Sequence, residues 1–413
     1  MGSTETAGGG GRIAVLYSFP HALGAPGIGW TAWNQVNELV RAGHDVHLVA
    51  ASVARPVAGL ASTTTSLAIA GQRVPHRVMG RDRALAWHDR VASLVVARRS
   101  PEVVHVWPLA AERTIAAARD RGIPAFREVP NTHTANAYEV VARESARLGL
   151  VPRAGASHTA DPRHLATEER EWATATALLV PSDAVAATFL ERGFDPARLR
   201  RHRYGCTPAA PVTRAVRRDA GLRAVFLGRV EPRKGLHHAL DAWIASSASR
   251  DGRFLVFGAV DDAYRAILAE RLAHPSVEVR GVTAAPVDEL ARADVLLLPS
   301  LEEGSALVTY EAQVAGCVPL VSTTAGALLD HDVHGLVHEP GDVATLTAQL
   351  DRLAAEPATV ARLSTAAMAH APELSWAAAS RSLVAAYGHP AAGTSSADED
   401  AAPLDEESRA HAA

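Results

Sequence analysis

At 413 residues the chain is too long for one ordinary core and suits two domains of roughly 150 to 200 residues with a cleft between them. Hydrophobic residues at 48% and charged residues at 21% are ordinary for a packed globular protein, and a net charge of -4 leaves no basic excess to neutralise a nucleic-acid backbone, so nucleic acid is not an expected partner. Cys206 and Cys317 are too few for a disulfide framework or a zinc site and fit a reducing cytoplasm; the polar, Gly-rich start lacks a signal-peptide pattern, and no apolar run reaches the roughly 20 residues that span a bilayer.

Residues 1–11 read as a disordered N-terminus. Ile13 to Tyr17 is the first expected strand; a loop with Gly24, Pro26, Gly27 and Gly29 follows, and Trp30 to Arg41 reads as a helix that Gly43 ends. Further strands are expected at Val46 to Ala50, Val103 to Val106, Ala125 to Val129 and Leu178 to Val180, with helices between them. This completes a first domain over 12–204. Arg200, Arg201 and Arg203 form a short basic cluster, read as a solvated element end. The Pro-, Ala- and Arg-rich stretch 205–221 reads as a linker. A second domain over 222–373 carries strands at Ala224 to Leu227, Phe254 to Phe257, Val277 to Val279, Val295 to Leu298 and Val318 to Ser322. After 374–389, which reads as a terminal helix, the tail 390–413 has no periodic apolar face and is expected to be disordered. Alternating strands and helices imply α/β architecture: two doubly wound, Rossmann-like domains, whose ligands bind beyond the carboxyl ends of the strands.

Two strand-end loops carry the chemistry. The first runs Gly228, Arg229, Val230, Glu231, Pro232, Arg233, Lys234, Gly235. It sets Arg229 and Lys234 before a helix expected near Leu236, whose N-terminus adds free amides and partial positive charge, an arrangement suited to a diphosphate. Lys234 is the only lysine among 41 basic residues. In a chain that otherwise uses arginine, this position calls for a compact ammonium on a flexible stem. The second loop holds Glu303, Gly304, Ser305, Ala306, Leu307 and Glu311. With a helix starting near Ser305, Glu303 and Glu311 stand on the order of 10 Å apart with the helix N-terminus between them. That layout matches a nucleotide sugar: carboxylates accept from sugar and ribose hydroxyls, and the amides of Gly304 to Leu307 donate to phosphate. Paired carboxyls of a glycoside hydrolase stand closer, at roughly 5 to 9.5 Å.

These residues resemble glycosyltransferase family 4, the retaining enzymes of the GT-B fold, in which two Rossmann-like domains face each other across a cleft. The resemblance rests on Gly228-Arg229 with Lys234-Gly235, on Glu303 and Glu311 with seven residues between them, and on Ala315-Gly316-Cys317-Val318-Pro319. In the first domain Ser182 after Leu178-Leu179-Val180-Pro181 and the Tyr204-Gly205 pair look like family elements, and Trp376 to Tyr387 is similar to the helix that crosses back to the first domain. The resemblance implies that Arg229 and Lys234 hold the donor diphosphate, Glu311 the ribose, and Glu303 the transferred sugar. It implies that Val282 lies near the nucleobase and His133 beside the donor sugar, with the first domain taking the acceptor. Gly27 and Gly29 permit close backbone approach to acceptor or phosphate. Ala306 stands where the family often has glycine, and Gly27-Ile28-Gly29 replaces adjacent glycines.

The expected activity is transfer of a sugar from a nucleoside-diphosphate sugar to a small-molecule or saccharide acceptor. Retention of configuration follows from the resemblance. No Asp-x-Asp or histidine cluster signals a metal, so neither metal nor cofactor is expected, and the donor is a co-substrate. A pseudo-glycosyltransferase, a nucleotide-sugar epimerase and a noncatalytic nucleotide-sugar-binding protein remain alternatives on the same fold.

Overall fold

A computed structural model describes residues 11–69, 72–73, 80–151, 158–207 and 221–388. The two termini and most of the linker expected at 205–221 lie outside the described residues.

Seven strands form the first sheet: β1 (Ala14–Leu23), β2 (Asp45–Val53), β3 (Ser62–Thr65), β4 (Val103–Val106), β5 (Ala125–Glu128), β6 (Ala177–Val180) and β7 (Leu199–Arg201), in the order β3-β2-β1-β4-β5-β6-β7. Every pairing in it is parallel. The central strands β4 and β6 are buried at every residue, because helices cover both faces and a parallel sheet so covered is apolar throughout. β1 runs six residues beyond its expected end at Tyr17, through a register shift between Phe19 and Ala22. This extension carries the chain to Gly24, where the glycine loop begins.

The second sheet holds β8 (Arg223–Leu227), β9 (Arg253–Phe257), β10 (Val277–Gly281), β11 (Val295–Leu298), β12 (Val318–Ser322) and β13 (Leu336–His338), in the order β10-β9-β8-β11-β12-β13. It too is parallel. In both sheets the order reverses beside the first strand, which opens a crevice at the strand ends where α/β proteins bind ligands.

Helix Trp376–Ala386 joins the two halves. Ser375 caps it, its hydroxyl accepting from the Ala378 amide at 3.2 Å. Near its start Trp376 clusters with Tyr204, Tyr310 and Leu374. At its end Leu383, Val384 and Tyr387 enter the first domain's core beside Val15, Tyr17 and Leu179. The Tyr387 hydroxyl lies 2.7 Å from His105 Nδ1. His105 and His202 flank the buried Glu128 carboxylate, which also accepts from the Tyr204 hydroxyl at 2.7 Å. Burial opposes ionisation of Glu128, but His202 and His105 outweigh it and hold its pKa well below the ordinary value.

Candidate active site

β8 ends at Leu227, and Gly228 to Gly235 bridge to helix Leu236–Ala245. Pro232–Lys234 makes one tight 3-10 turn, then Gly235 adopts φ +70°, a left-handed conformation natural to glycine. A Cβ on Gly235 would overlap the carbonyl of Pro299, the first residue after β11. The Leu301 amide donates to Arg233 O at 2.7 Å. These contacts zip the two charged loops together, although they lie far apart in sequence.

Lys234 Nζ consequently touches the Glu303 carboxylate. Arg233, nearly buried, donates to Glu302 O at 3.0 Å and lies 3.3 Å from Glu302 Oε2, 3.5 Å from Glu303 Oε2 and 2.8 Å from Glu231 Oε1. Burial, then the charge of Arg233, pulls the Lys234 pKa down to about 7, while Glu231 and Glu302 pull it up and Arg229 pushes it down again. The ammonium therefore titrates near neutral pH, its charged form supported by its carboxylate neighbours. Arg229 is exposed on the same loop.

The second loop meets the first domain. Glu302 is completely buried, and its Oε1 accepts from Thr132 Oγ1 at 2.7 Å and from the Thr132 amide at 3.4 Å. His158 Nδ1 approaches the other oxygen at 4.0 Å. The Ser182 hydroxyl donates to Gly304 O at 2.5 Å, and a Cβ on Gly304 would overlap Pro130 O. Gly304 thus lies directly against the first domain's backbone. Helix Leu307–Val314 begins two residues later than expected. The Ser305 hydroxyl is engaged with Tyr310 OH at 2.8 Å, and Ala306 occupies the N-cap.

The Ala306 amide donates to Ala325 O at 3.1 Å, so of the amides expected to serve a phosphate this one is already committed. Glu311 lies on the helix, half-buried, and burial alone pushes its pKa up. Its carboxylate makes no hydrogen bond or ion pair among the described residues, leaving both oxygens available to hydroxyl donors.

Other expected residues stand apart from this cluster. His133 N-caps helix Thr134–Arg147, its Nδ1 accepting from the Ala135 amide at 3.2 Å. Its ring packs 4.6 Å from Trp172 and 4.9 Å from Phe189, and burial followed by the Arg192 charge lowers its pKa to about 4. At neutral pH it is an uncharged imidazole in an aromatic wall. Val282 is 77% exposed and lines a cavity of about 500 Å³ with Leu255, Phe257 and Arg280, on the side of β9 and β10. Neither Lys234 nor Glu303 lines that cavity. Gly27, at φ +80°, opens helix Ile28–Arg41, and a Cβ on Gly29 would come 2.5 Å from Ala22 O. The glycines therefore fold this loop back on β1. Arg55 packs across it, its guanidinium 4.9 Å above the Trp30 ring and 5.4 Å from that of Trp33.

Arg233, Glu302 and Thr132 escaped the sequence reading. Charged residues beside a glycine in a loop look like solvated charges, and only the fold reveals that these are buried. The doublets Arg233-Lys234 and Glu302-Glu303, one in each strand-end loop, are the signal that could have pointed to Arg233 and Glu302.

Residues 221–356 match the family described as Glycosyl transferases group 1, and residues 26–205 match the Glycosyl transferase 4-like domain. Among curated proteins the chain is similar to the D-inositol 3-phosphate glycosyltransferase of Saccharomonospora viridis, at 29% identity over 63% of this chain and 64% of the relative. It is also similar to that of Thermobispora bispora, at 31% identity over 42% of this chain and 45% of the relative. The matched stretch is less than two thirds of these relatives' own lengths and falls to 21% for the Mycolicibacterium vanbaalenii protein of the same name. Among solved structures, sucrose-phosphate synthase from Thermosynechococcus elongatus superposes with a TM-score of 0.65 at 19% identity, covering 91% of this chain and 98% of that one. Anabaena HepE in complex with UDP-glucose gives 0.62 at 13% identity, covering 91% and 99%. These likenesses establish the two-domain GT-B fold.

Proposed function

The chain belongs to glycosyltransferase family 4 and has the GT-B fold, and from that premise we propose that it transfers a sugar, with retention, from a nucleoside-diphosphate sugar to a small-molecule or saccharide acceptor without a metal. The observation that carries this reading is the contact of Lys234 with Glu303 between two loops zipped at Gly235 and Pro299. A cation and a sugar-binding carboxylate side by side fit the junction of a glycosyl phosphate, where the bond to be broken lies.

In the proposed reaction the diphosphate arrives between Lys234 and Arg229 and displaces the ammonium from Glu303. The freed Glu303 accepts from hydroxyls of the transferred sugar, and Glu311 accepts from the ribose. As the glycosidic bond lengthens, charge builds on the departing phosphate, and two fixed cations stabilise it more than they stabilise the ground state. The same cations perform the electrostatic task a divalent metal performs in other transferases. The acceptor attacks the face the diphosphate leaves, and its proton passes to a phosphate oxygen of the leaving group.

The test begins with melting curves of the purified chain in UDP, GDP, ADP, dTDP and their glucose conjugates, since a ligand bound only to the folded state raises the melting temperature. One nucleotide family is expected to stabilise, and incubation with its sugar conjugate and an acceptor panel is expected to yield a product of unchanged anomeric configuration with EDTA present. Failure of every nucleotide to stabilise overturns the reading; turnover that disappears in EDTA and returns with magnesium or manganese, but not with zinc, overturns its metal-free part.

A further inference from the structure

We propose that Glu144, His237 and His238 form a binding site for a zinc-class divalent metal that pins the two domains together behind the donor loop. The site is separate from the proposed reaction, and its failure would leave the glycosyltransferase reading intact.

Glu144 lies on helix Thr134–Arg147 of the first domain, and the two histidines open helix Leu236–Ala245 of the second. All three are buried, and one ligand atom from each lies within 4.8 Å of the others. The Tyr264 hydroxyl sits 2.6 Å from His237 Nδ1, the outer contact that orients a ligating imidazole and leaves Nε2 to the metal. That Nε2 is buried and 2.9 Å from Glu144 Oε1, yet makes no hydrogen bond of proper geometry among the described residues. The two atoms face each other without good hydrogen-bond alignment, and a metal ion between them would satisfy both. The His238 ring lies against that of His237, centroids 3.9 Å apart, so the second imidazole is already gathered at the same point.

Two imidazoles and one carboxylate suit zinc and its neighbours, whereas magnesium and calcium require oxygen ligands. Donor atoms around a tetrahedral zinc stand about 3.3 Å apart. His237 and Glu144 nearly meet that spacing, and a nitrogen of His238 lies within 4.8 Å of both. Arg147 donates to both Glu144 oxygens, at 2.7 and 3.2 Å. It holds the carboxylate ionised and oriented, and a carboxylate has lone pairs enough for a metal as well. Because His237 stands in the first turn of the helix that follows Lys234 and Gly235, an ion here would fix the donor-loop helix against the first domain.

The full chain, stripped with chelator and desalted, is titrated with zinc, cobalt or magnesium. About one zinc per chain is expected to survive a second desalting, with a visible cobalt absorption band, a raised melting temperature with zinc, and no effect of magnesium. His238→Ala and Glu144→Gln, checked for native circular dichroism, are each expected to lower zinc retention at least about tenfold. Less than about 0.1 zinc per wild-type chain, or unchanged retention in both variants, overturns the proposal.

Discussion

Lys234 sits at the balance point of the proposed donor pocket. An arginine-rich protein could have placed a guanidinium here, but a fork of five donors wedged beside Arg233 would add a permanent charge that cannot be shed. The ammonium can adjust: burial and Arg233 bring its pKa down to about 7. A diphosphate favours the charged form, so donor binding draws a proton onto Lys234 wherever the free enzyme has lost it. It follows that kcat/KM for the donor falls as pH rises above about 7, approaching tenfold per unit, with kcat less affected because the bound anion restores the charge. Initial rates between pH 6 and 9 read this directly, and a flat kcat/KM across that range contradicts it. Lys234→Ala is expected to lower kcat/KM at least about a hundredfold, the usual cost of one charge-stabilising donor; a loss of less than about threefold would remove Lys234 from the reaction. Glu311 belongs to the other kind of residue. In the proposed reaction it binds the ribose alike in ground and transition states, so Glu311→Ala is expected to raise the donor KM by about tenfold or more while kcat changes little. A selective fall in kcat would instead place Glu311 at the reacting bond.

The loops matter because elements, not single residues, bring these groups together. Gly235 ends one turn and begins the next helix with its Cα pressed on Pro299 O. Gly235→Ala therefore meets both a left-handed φ and a backbone overlap, and is expected to cost about 2 kcal/mol or more and to weaken nucleotide binding with it. Denaturant melts alongside nucleotide titration measure both; native stability with native affinity would show that the two loops are not zipped. The strands that frame these loops were legible in the sequence because a strand buried on both faces is an unbroken apolar run, as at Val103–Val106 and Val295–Leu298. The strands that went unread are edges. Ser62–Thr65 alternates between half-buried and exposed and contains no large apolar residue, and Leu199–Arg201 and Leu336–His338 are three residues each, too short for a period to register. Lys234 and Glu303 stood out by composition and spacing. Arg233 and Glu302 did not, because burial of a charged pair depends on a contact between distant loops. His133 shows another limit: its position at a strand end was visible, but its role as a cap against Trp172 and Phe189 depends on helices elsewhere in the domain.

At the scale of the molecule, the described residues tie the halves together in ways that differ in character. Beside the donor loops the contacts include hydrogen bonds, Thr132 with Glu302 and Ser182 with Gly304, the Glu144–His237 pair, and Leu148 and Leu150 against the second core. A neutral hydrogen bond contributes about 1 kcal/mol and one to a carboxylate such as Glu302 about 1.5 to 3 kcal/mol. The crossing helix is different. Leu383, Val384, Ala386 and Tyr387 are all buried in the first domain's core, and burying such side chains stabilises by about 1.5 to 3 kcal/mol for each large one. The first domain is therefore incomplete without residues that follow the second in sequence. Ending the chain after Ser375 is expected to melt the first domain preferentially, because its core loses these side chains and His105 loses the Tyr387 hydroxyl 2.7 Å away, while the second sheet and its donor loops keep their own core. Calorimetry of the shortened chain should then show one transition lowered and one nearly unchanged, and limited proteolysis should cut first among residues before Tyr204. Loss of both transitions together would mean that the two domains fold as one cooperative unit, and that the polar contacts at the cleft hold far more strongly than their number suggests.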